Sequence, residues 1–132
     1  MRDFTLIFAL AALGAMALMA PGCDDPVSSY KPRIVNQTDV FHLILEDAQE
    51  VDTTAYYYWR NDGSSANIDQ LADIKQGQVT IYIEDPDKFR VYSTDMRQNG
   101  SFVTQAGVPG VWRIRVALTD FTGLFDFRAQ RR

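Results

Sequence analysis

The sequence predicts one all-β domain, an antiparallel β-sandwich of seven strands with Ig-like or jelly-roll-like connections, after an N-terminal signal peptide. Two observations lead to this fold class. Apolar and polar residues alternate with a period of two in most runs after residue 37, which is typical of strands with one buried face. Turn-forming sequences separate these runs, namely Asn61-Asp62-Gly63, Gln76-Gly77, Asp85-Pro86-Asp87, Asn99-Gly100, Gly107 to Gly110 and Thr122-Gly123.

The strands follow one another with short connections. The clearest is 111–118, in which Trp112, Ile114 and Val116 are expected to be buried. In the aromatic run 55–59, either Tyr57 and Trp59 or Tyr56 and Tyr58 point inward. Residues 67–75 instead repeat apolar residues at helical spacing and predict one or two helical turns. The predicted strands are residues 40–45, 55–59, 79–84, 89–92, 101–104, 111–118 and 124–129.

Residues 1–22 are predicted to be an export signal. Residues 4–20 form an uncharged run of 17 residues behind Met1, Arg2 and Asp3, the arrangement of a signal peptide. A helix of that length spans about 25 Å, less than the roughly 30 Å hydrocarbon core of a bilayer. Cleavage and export are therefore favoured over a permanent membrane span.

The segment Ala20-Pro21-Gly22-Cys23 resembles the lipobox of bacterial lipoproteins. The resemblance implies that Cys23 is acylated, for example with palmitate, and becomes the mature N-terminus. It also implies a bacterial cell-envelope protein held by lipid on a membrane, with the choice between inner and outer membrane left open. Plain secretion with a free cysteine is the alternative.

Residues 23–36 are predicted to be a flexible tether, because they contain Pro26 and Pro32 and show no apolar period. The folded domain is then expected to span residues 37–132. Within it, residues 110–116 followed by Gly123-Leu124-Phe125-Asp126-Phe127 resemble the closing hairpin of bacterial pre-peptidase C-terminal domains. That resemblance implies a small β-sandwich of the kind found on secreted proteins.

The composition of the chain argues against several classes of function. The chain has 13 Lys plus Arg against 17 Asp plus Glu, a net charge of -4, which argues against binding nucleic acid by neutralising phosphates. One cysteine and one histidine exclude an intramolecular disulfide and leave no Cys/His zinc set within the chain. His42 has no visible catalytic partner and no G-x-S-x-G sequence occurs. We therefore expect no enzyme activity and no cofactor.

The candidate binding residues are aromatic and basic. Tyr56, Tyr58 and Tyr82 are candidates for stacking on sugar rings. Arg113 and Arg115 point away from the core by alternation and are candidates to join Lys88, Arg90 and Arg128 in a patch for an anion or an acidic polymer. A solvated outer face without a ligand is the favoured explanation of the same arginines.

An acidic turn is the remaining candidate site. Glu84, Asp85 and Asp87 are weak calcium candidates. Turn formation beside Pro86 explains the same residues better, so no metal is predicted.

The hypothesis that joins these observations is a non-enzymatic cell-envelope lipoprotein. Its lipid anchor contacts a membrane, and its β-sandwich presents a binding surface to an unknown envelope protein or polysaccharide. The alternative is a secreted module that binds carbohydrate or calcium.

Overall fold

The computed structural model describes residues 25–132, so the predicted signal peptide and Cys23 lie outside the described residues. The prediction of an all-β antiparallel domain is confirmed. A short 3-10 turn at Ser28–Tyr30 precedes the strands. They are β1 (Arg33–Gln37), β2 (Val40–Asn61), β3 (Ala66–Glu84), β4 (Arg90–Thr94), β5 (Gly100–Val103) and β6 (Gly110–Arg131). Among residues 25–132 there is no helix of the length and apolarity that a membrane crossing requires.

All six strands belong to one antiparallel sheet. Its order is β1-β2-β6-β3-β4, and β5 pairs with the first part of β3. Strand β6 therefore lies between the two other long strands, β2 and β3. These three strands have 19 to 22 residues each, whereas a typical strand has about five residues.

The sheet is folded onto itself into two packed layers. Phe41 and Tyr57 lie on the same strand, 16 positions apart, yet their ring centroids are 5.4 Å from each other. In the same way Tyr92 of β4 packs on Phe127 near the end of β6, at 6.5 Å. The first layer contains β1, β5, β2 to Leu45, β3 to Ile74 and β6 from Phe125, and the second layer contains β4 and the other halves of the long strands.

The long strands pass from one layer to the other through irregular bends. Register shifts occur between Leu45 and Thr53 of β2, and between Ile74 and Gln78 of β3. An extra residue on one strand bends it and raises its twist, which is the effect of a β-bulge. The residues with positive φ in these bends are Glu50 (50°), Gly77 (77°), Asp120 (48°) and Gly123 (143°).

Two of these glycines are required by close contact between strands. A Cβ on Gly77 would lie 2.1 Å from the carbonyl oxygen of Asp120, and a Cβ on Gly123 would lie 2.1 Å from that of Asp73. Strands β3 and β6 therefore approach each other at the bend more closely than any side chain permits.

The predicted count of seven strands is wrong because of these bends. Residues 40–45 and 55–59 are two halves of β2, and residues 111–118 and 124–129 are two halves of β6. Gln76-Gly77 and Thr122-Gly123 are bends within strands rather than turns between them. Positive φ at a glycine serves a bulge as well as a turn, so the sequence alone does not distinguish the two.

The predicted helical turns in residues 67–75 are also wrong. This segment belongs to β3 and is paired with β6 on one side and, at residues 67–70, with β5 on the other. Ile68 is buried while Leu71 is 52% exposed, as alternation in a strand requires. Hydrogen bonding to neighbouring strands outweighs a short apolar repeat at helical spacing.

The segment predicted to be a tether is largely docked on the sheet. Val27 is 2% exposed, and the Tyr57 hydroxyl donates a hydrogen bond of 2.8 Å to the Asp25 carboxylate. Burial, reinforced by the Asp25 carboxylate, raises the pKa of Tyr57. Strand β1 pairs with β2 over residues 33–37, so the boundary placed at residue 37 falls at the end of a strand.

The packing of the core shows which aromatic residues of β2 point inward. Trp59 is fully buried and meets Trp112 of β6 edge to face, with ring centroids 5.9 Å apart. Both indole N–H groups are satisfied, since Trp59 donates to the Gln37 carbonyl at 3.0 Å and Trp112 donates to the Val108 carbonyl at 2.8 Å. Tyr57 is buried beside them, and Tyr56 and Tyr58 consequently point outward.

Candidate functional site

The five residues predicted to bind a ligand lie together on the outer face of the second layer. Their alternate neighbours, such as Trp59, Ile114 and Ile83, are buried, which turns them outward. Register aligns them in two rows across β2, β6 and β3. One row is Tyr56, Arg115 and Tyr82, and the other is Tyr58, Arg113 and Glu84.

Arg90 of β4 completes this surface, because its guanidinium lies over the Tyr82 ring at 3.9 Å from the centroid. We call these seven residues the tyrosine–arginine face: Tyr56, Tyr58, Tyr82, Glu84, Arg90, Arg113 and Arg115. The pairing of Glu84 with Arg90 across β3 and β4 adds the fourth strand to the face. The face thus spans the whole second layer.

Tyr56 and Tyr58 are its exposed aromatic residues. They are 47% and 63% exposed, respectively. Because they occupy alternate positions of one strand, their Cα atoms are about 7 Å apart. Two neighbouring aromatic side chains are therefore open to a ligand that lies along β2.

The ring of Tyr82, which was predicted to stack on a sugar, contacts two arginines instead. Its ring carries the Arg90 guanidinium at 3.9 Å, and the Arg115 guanidinium lies 5.2 Å from its centroid. Cations at these distances are attracted to the ring face. Tyr82 therefore orders two arginines, and a sugar ring stacked on it would have to displace one of them.

Arg113 is held by Glu84. One guanidinium nitrogen lies 2.8 Å from the Glu84 carboxylate, and the Arg113 guanidinium also lies 5.1 Å from the Tyr56 ring centroid. Burial works against the charge, but the hydrogen bond and the charge of Glu84 raise the pKa of Arg113 above its usual range. The charge of Arg113 is thus permanent and locally balanced.

Beside this ion pair the surface has a depression of about 260 Å³ that Tyr58, Lys88 and Arg113 help to line. Lys88 thereby lies next to the face. Arg128 does not, because it pairs with His42 and Asp69 in the first layer. Alternation showed that Arg128 points outward but carried no information about the layer in which it lies.

The acidic turn that was a weak calcium candidate is occupied by other contacts. Asp85 is 5% exposed, and its carboxylate accepts hydrogen bonds of 2.9 Å from the backbone N–H groups of Asp87, Phe89 and Val108. Glu84 is committed to Arg113. Within residues 25–132, no three acidic, histidine or cysteine side chains are grouped to hold a metal ion.

Asp85 instead ties two loops together. Burial alone would raise the pKa of its carboxyl, but the three backbone N–H groups outweigh burial and lower it. Its oxygens join the turn after β3 to the loop before β6. This contact fixes the edge of the tyrosine–arginine face next to Glu84.

His42, the histidine without a visible partner in the sequence, contacts Asp126 on the outer face of the first layer. Its Nε2 lies 2.7 Å from the Asp126 carboxylate. The two residues are 84 positions apart in the chain, so only the pairing of β2 with β6 brings them together. This contact is remote from the tyrosine–arginine face.

We expect Asp85→Asn to lower the free energy of unfolding at pH 7 by about 1 to 3 kcal/mol, because hydrogen bonds to a charged acceptor are lost or weakened. The folded pKa of Asp85 is depressed, so its contribution is present above the unfolded value of about 3.9 and disappears as pH falls through the folded value. The gap between wild type and variant should therefore narrow below about pH 4.

Urea unfolding at pH 7, 4 and 2 measures this gap, with Asp87→Asn, an exposed carboxylate of the same turn, as the matched control. A constant gap at all three pH values would contradict the role given to Asp85.

No family model matches the chain, and no curated protein is similar to it in sequence. Among solved structures, the chain is similar to one described as "CBM4 structure and function". The two share 11% identity over 80% of this chain and 83% of that chain, with a TM-score of 0.42.

Proposed function

We propose that this protein is a non-catalytic binding module that holds a polysaccharide of the bacterial cell envelope on its tyrosine–arginine face. The observation that carries the proposal is the pair of exposed, adjacent tyrosines on β2, with guanidinium groups beside them. Exposed aromatic side chains that cluster on a monomer surface are typical of binding sites.

The chemistry of a sugar suits this surface. A pyranose has an apolar face of C–H groups and a polar rim of hydroxyls. A tyrosine ring covers the apolar face, while its hydroxyl and nearby charged groups bond to the rim. Tyr58 and the part of the Tyr56 ring that Arg113 leaves exposed offer two such rings in line.

The face is also rigid, which favours binding. The residues between and beside the two tyrosines, Tyr57 and Trp59, are packed in the core. Strand β2 is hydrogen-bonded to β6 from Thr53 to Asn61. Little conformational freedom is therefore lost when a ligand is bound.

We further propose that Cys23 is acylated and attaches the module to a membrane, on the basis of its lipobox-like sequence. Asp25, two positions after Cys23 in the sequence, helps to line a surface depression with Thr54 and Tyr56. An acylated Cys23 would hold one side of the tyrosine–arginine face close to the membrane surface. The bound polysaccharide would then lie next to that membrane.

We expect Tyr58→Ala and Tyr56→Ala each to weaken polysaccharide binding about tenfold, and the double variant to weaken it about a hundredfold, as the loss of one and two stacking contacts implies. Affinity electrophoresis against neutral and acidic polysaccharides measures the effect. Val103→Ala removes a side chain that is 50% exposed on β5 of the first layer and serves as the control. Unchanged binding in the double variant would refute the proposed site.

We expect the full-length protein to be labelled by palmitate in a bacterial host, and we expect Cys23→Ala to lose this label. The reason is that the cysteine thiol of the lipobox accepts the diacylglyceryl group in bacterial lipoproteins. The detergent-phase fraction of the protein should fall in parallel. Mass spectrometry that finds an unmodified thiol in the native protein would rule out the anchor.

A further inference from the structure

We infer that the polysaccharide bound by the tyrosine–arginine face is acidic, with carboxylates that pair with Arg115 and Arg90. This inference rests on the proposed function and names its ligand class. It comes from how the chain distributes its charges and from what surrounds these two arginines.

The face is positive on a chain that is acidic. The chain as a whole has a net charge of -4, whereas the face has three arginines and one glutamate. Such a local excess of positive charge attracts anions to one region of the surface. The same excess gives no advantage to a neutral glycan.

Most other arginines of the described chain have a carboxylate partner. Of the nine arginines in residues 25–132, five lie within 4 Å of an acidic side chain, namely Arg33, Arg60, Arg97, Arg113 and Arg131. Within the same residues, no carboxylate lies that close to Arg90 or Arg115. Two positive charges are thus left together on the face.

Tyr82 contacts both of these charges, Arg115 from the β6 side and Arg90 from the β4 side. The Arg90 and Arg115 guanidinium groups lie 3.9 Å and 5.2 Å from its ring centroid. A guanidinium that stacks on a ring keeps its N–H donors at its edge, where they match the two oxygens of a carboxylate. A carboxylate that pairs with either guanidinium would balance its charge.

The row that contains Arg115 sets the position of the sugar. Tyr56 and Tyr82 both pair with Arg115 across neighbouring strands, which places side chains about 5 Å apart at their Cβ atoms. A sugar stacked on Tyr56 therefore has its rim next to Arg115. A uronic acid carries its carboxylate on that rim, so one residue can use both contacts.

Arg113 has a different part in this arrangement. Its charge is already matched by Glu84 at 2.8 Å. It lies near the Tyr56 ring and keeps that side chain in place. We therefore assign the contact with the ligand carboxylate to Arg115 and Arg90, and we assign a positioning role to Arg113.

The test compares acidic polymers with their uncharged forms. Polygalacturonate, alginate and hyaluronate are titrated against the full-length protein by calorimetry, each beside its carboxyl-esterified form, together with dextran and xylan as neutral polymers. We expect at least one acidic polymer to bind at least tenfold more tightly than its ester, and its affinity to fall as salt is raised. Equal binding of acid and ester, or binding only of neutral polymers, would overturn this inference and leave the proposed function standing.

Two variants locate the effect. Arg115→Gln and Arg90→Gln should each weaken binding of the acidic polymer about tenfold and leave binding of its ester unchanged. Arg128→Gln, the same substitution at an exposed position of the first layer, should change neither, and melting temperatures report that all variants are folded. Equal effects of Arg115→Gln and Arg128→Gln would refute the assigned contact.

Two further outcomes separate this inference from broader failures. No binding to any polymer, neutral or acidic, would refute the proposed function itself. A single-stranded oligonucleotide of matched charge that binds as tightly as the best acidic polymer would show a general polyanion surface, and this would overturn the assignment to polysaccharide.

Discussion

The contact between the β3 and β6 backbones at the bend is the constraint on which the rest of the structure depends. Gly77 faces the Asp120 carbonyl, and Gly123 faces the Asp73 carbonyl, at distances that leave no space for a Cβ. Because the strands touch there, the long strands turn together and their two halves pack face to face. One sheet thereby supplies both layers of the core, including the Phe41 contact with Tyr57.

The same bend connects the core to the candidate site. Beyond it, each long strand places one set of side chains in the core and the alternate set on the outer face, so Trp59 and Trp112 are buried beneath Tyr58 and Arg113. The backbone positions that carry the outer side chains cannot shift without moving the core. At the edge of the face, Asp85 fixes the turn after β3 through three backbone N–H groups, and this preorganisation favours recognition of a ligand by a small number of contacts.

Alternation along the sequence predicted the inward and outward sides of residues 40–45, 79–84 and 111–118, because that pattern is local. It did not reveal the bends, because Gly77 and Gly123 have the same local signature as turn glycines. Strand β1 was missed because its residues are all exposed and the segment before it contains prolines. Within the tyrosine–arginine face, alternation predicted that Tyr82, Glu84, Arg113 and Arg115 point outward. The contacts of Arg113 with Glu84 and of Arg90 with Tyr82 depend on which strands are neighbours, and no short pattern encodes that.

The requirement for a close approach of β3 and β6 at the bend is tested most directly by urea unfolding. The comparison is between Gly77→Ala and Gly100→Ala. Both glycines have positive φ, at 77° and 143°, but a Cβ on Gly100 meets only the Phe102 ring at 3.7 Å. Gly100→Ala should therefore cost about 1 to 3 kcal/mol for the backbone conformation alone, and Gly77→Ala about 1 to 3 kcal/mol more than that for the clash with β6. Equal losses in the two variants would show that β3 and β6 do not need this close approach, and the folded sheet would require another explanation.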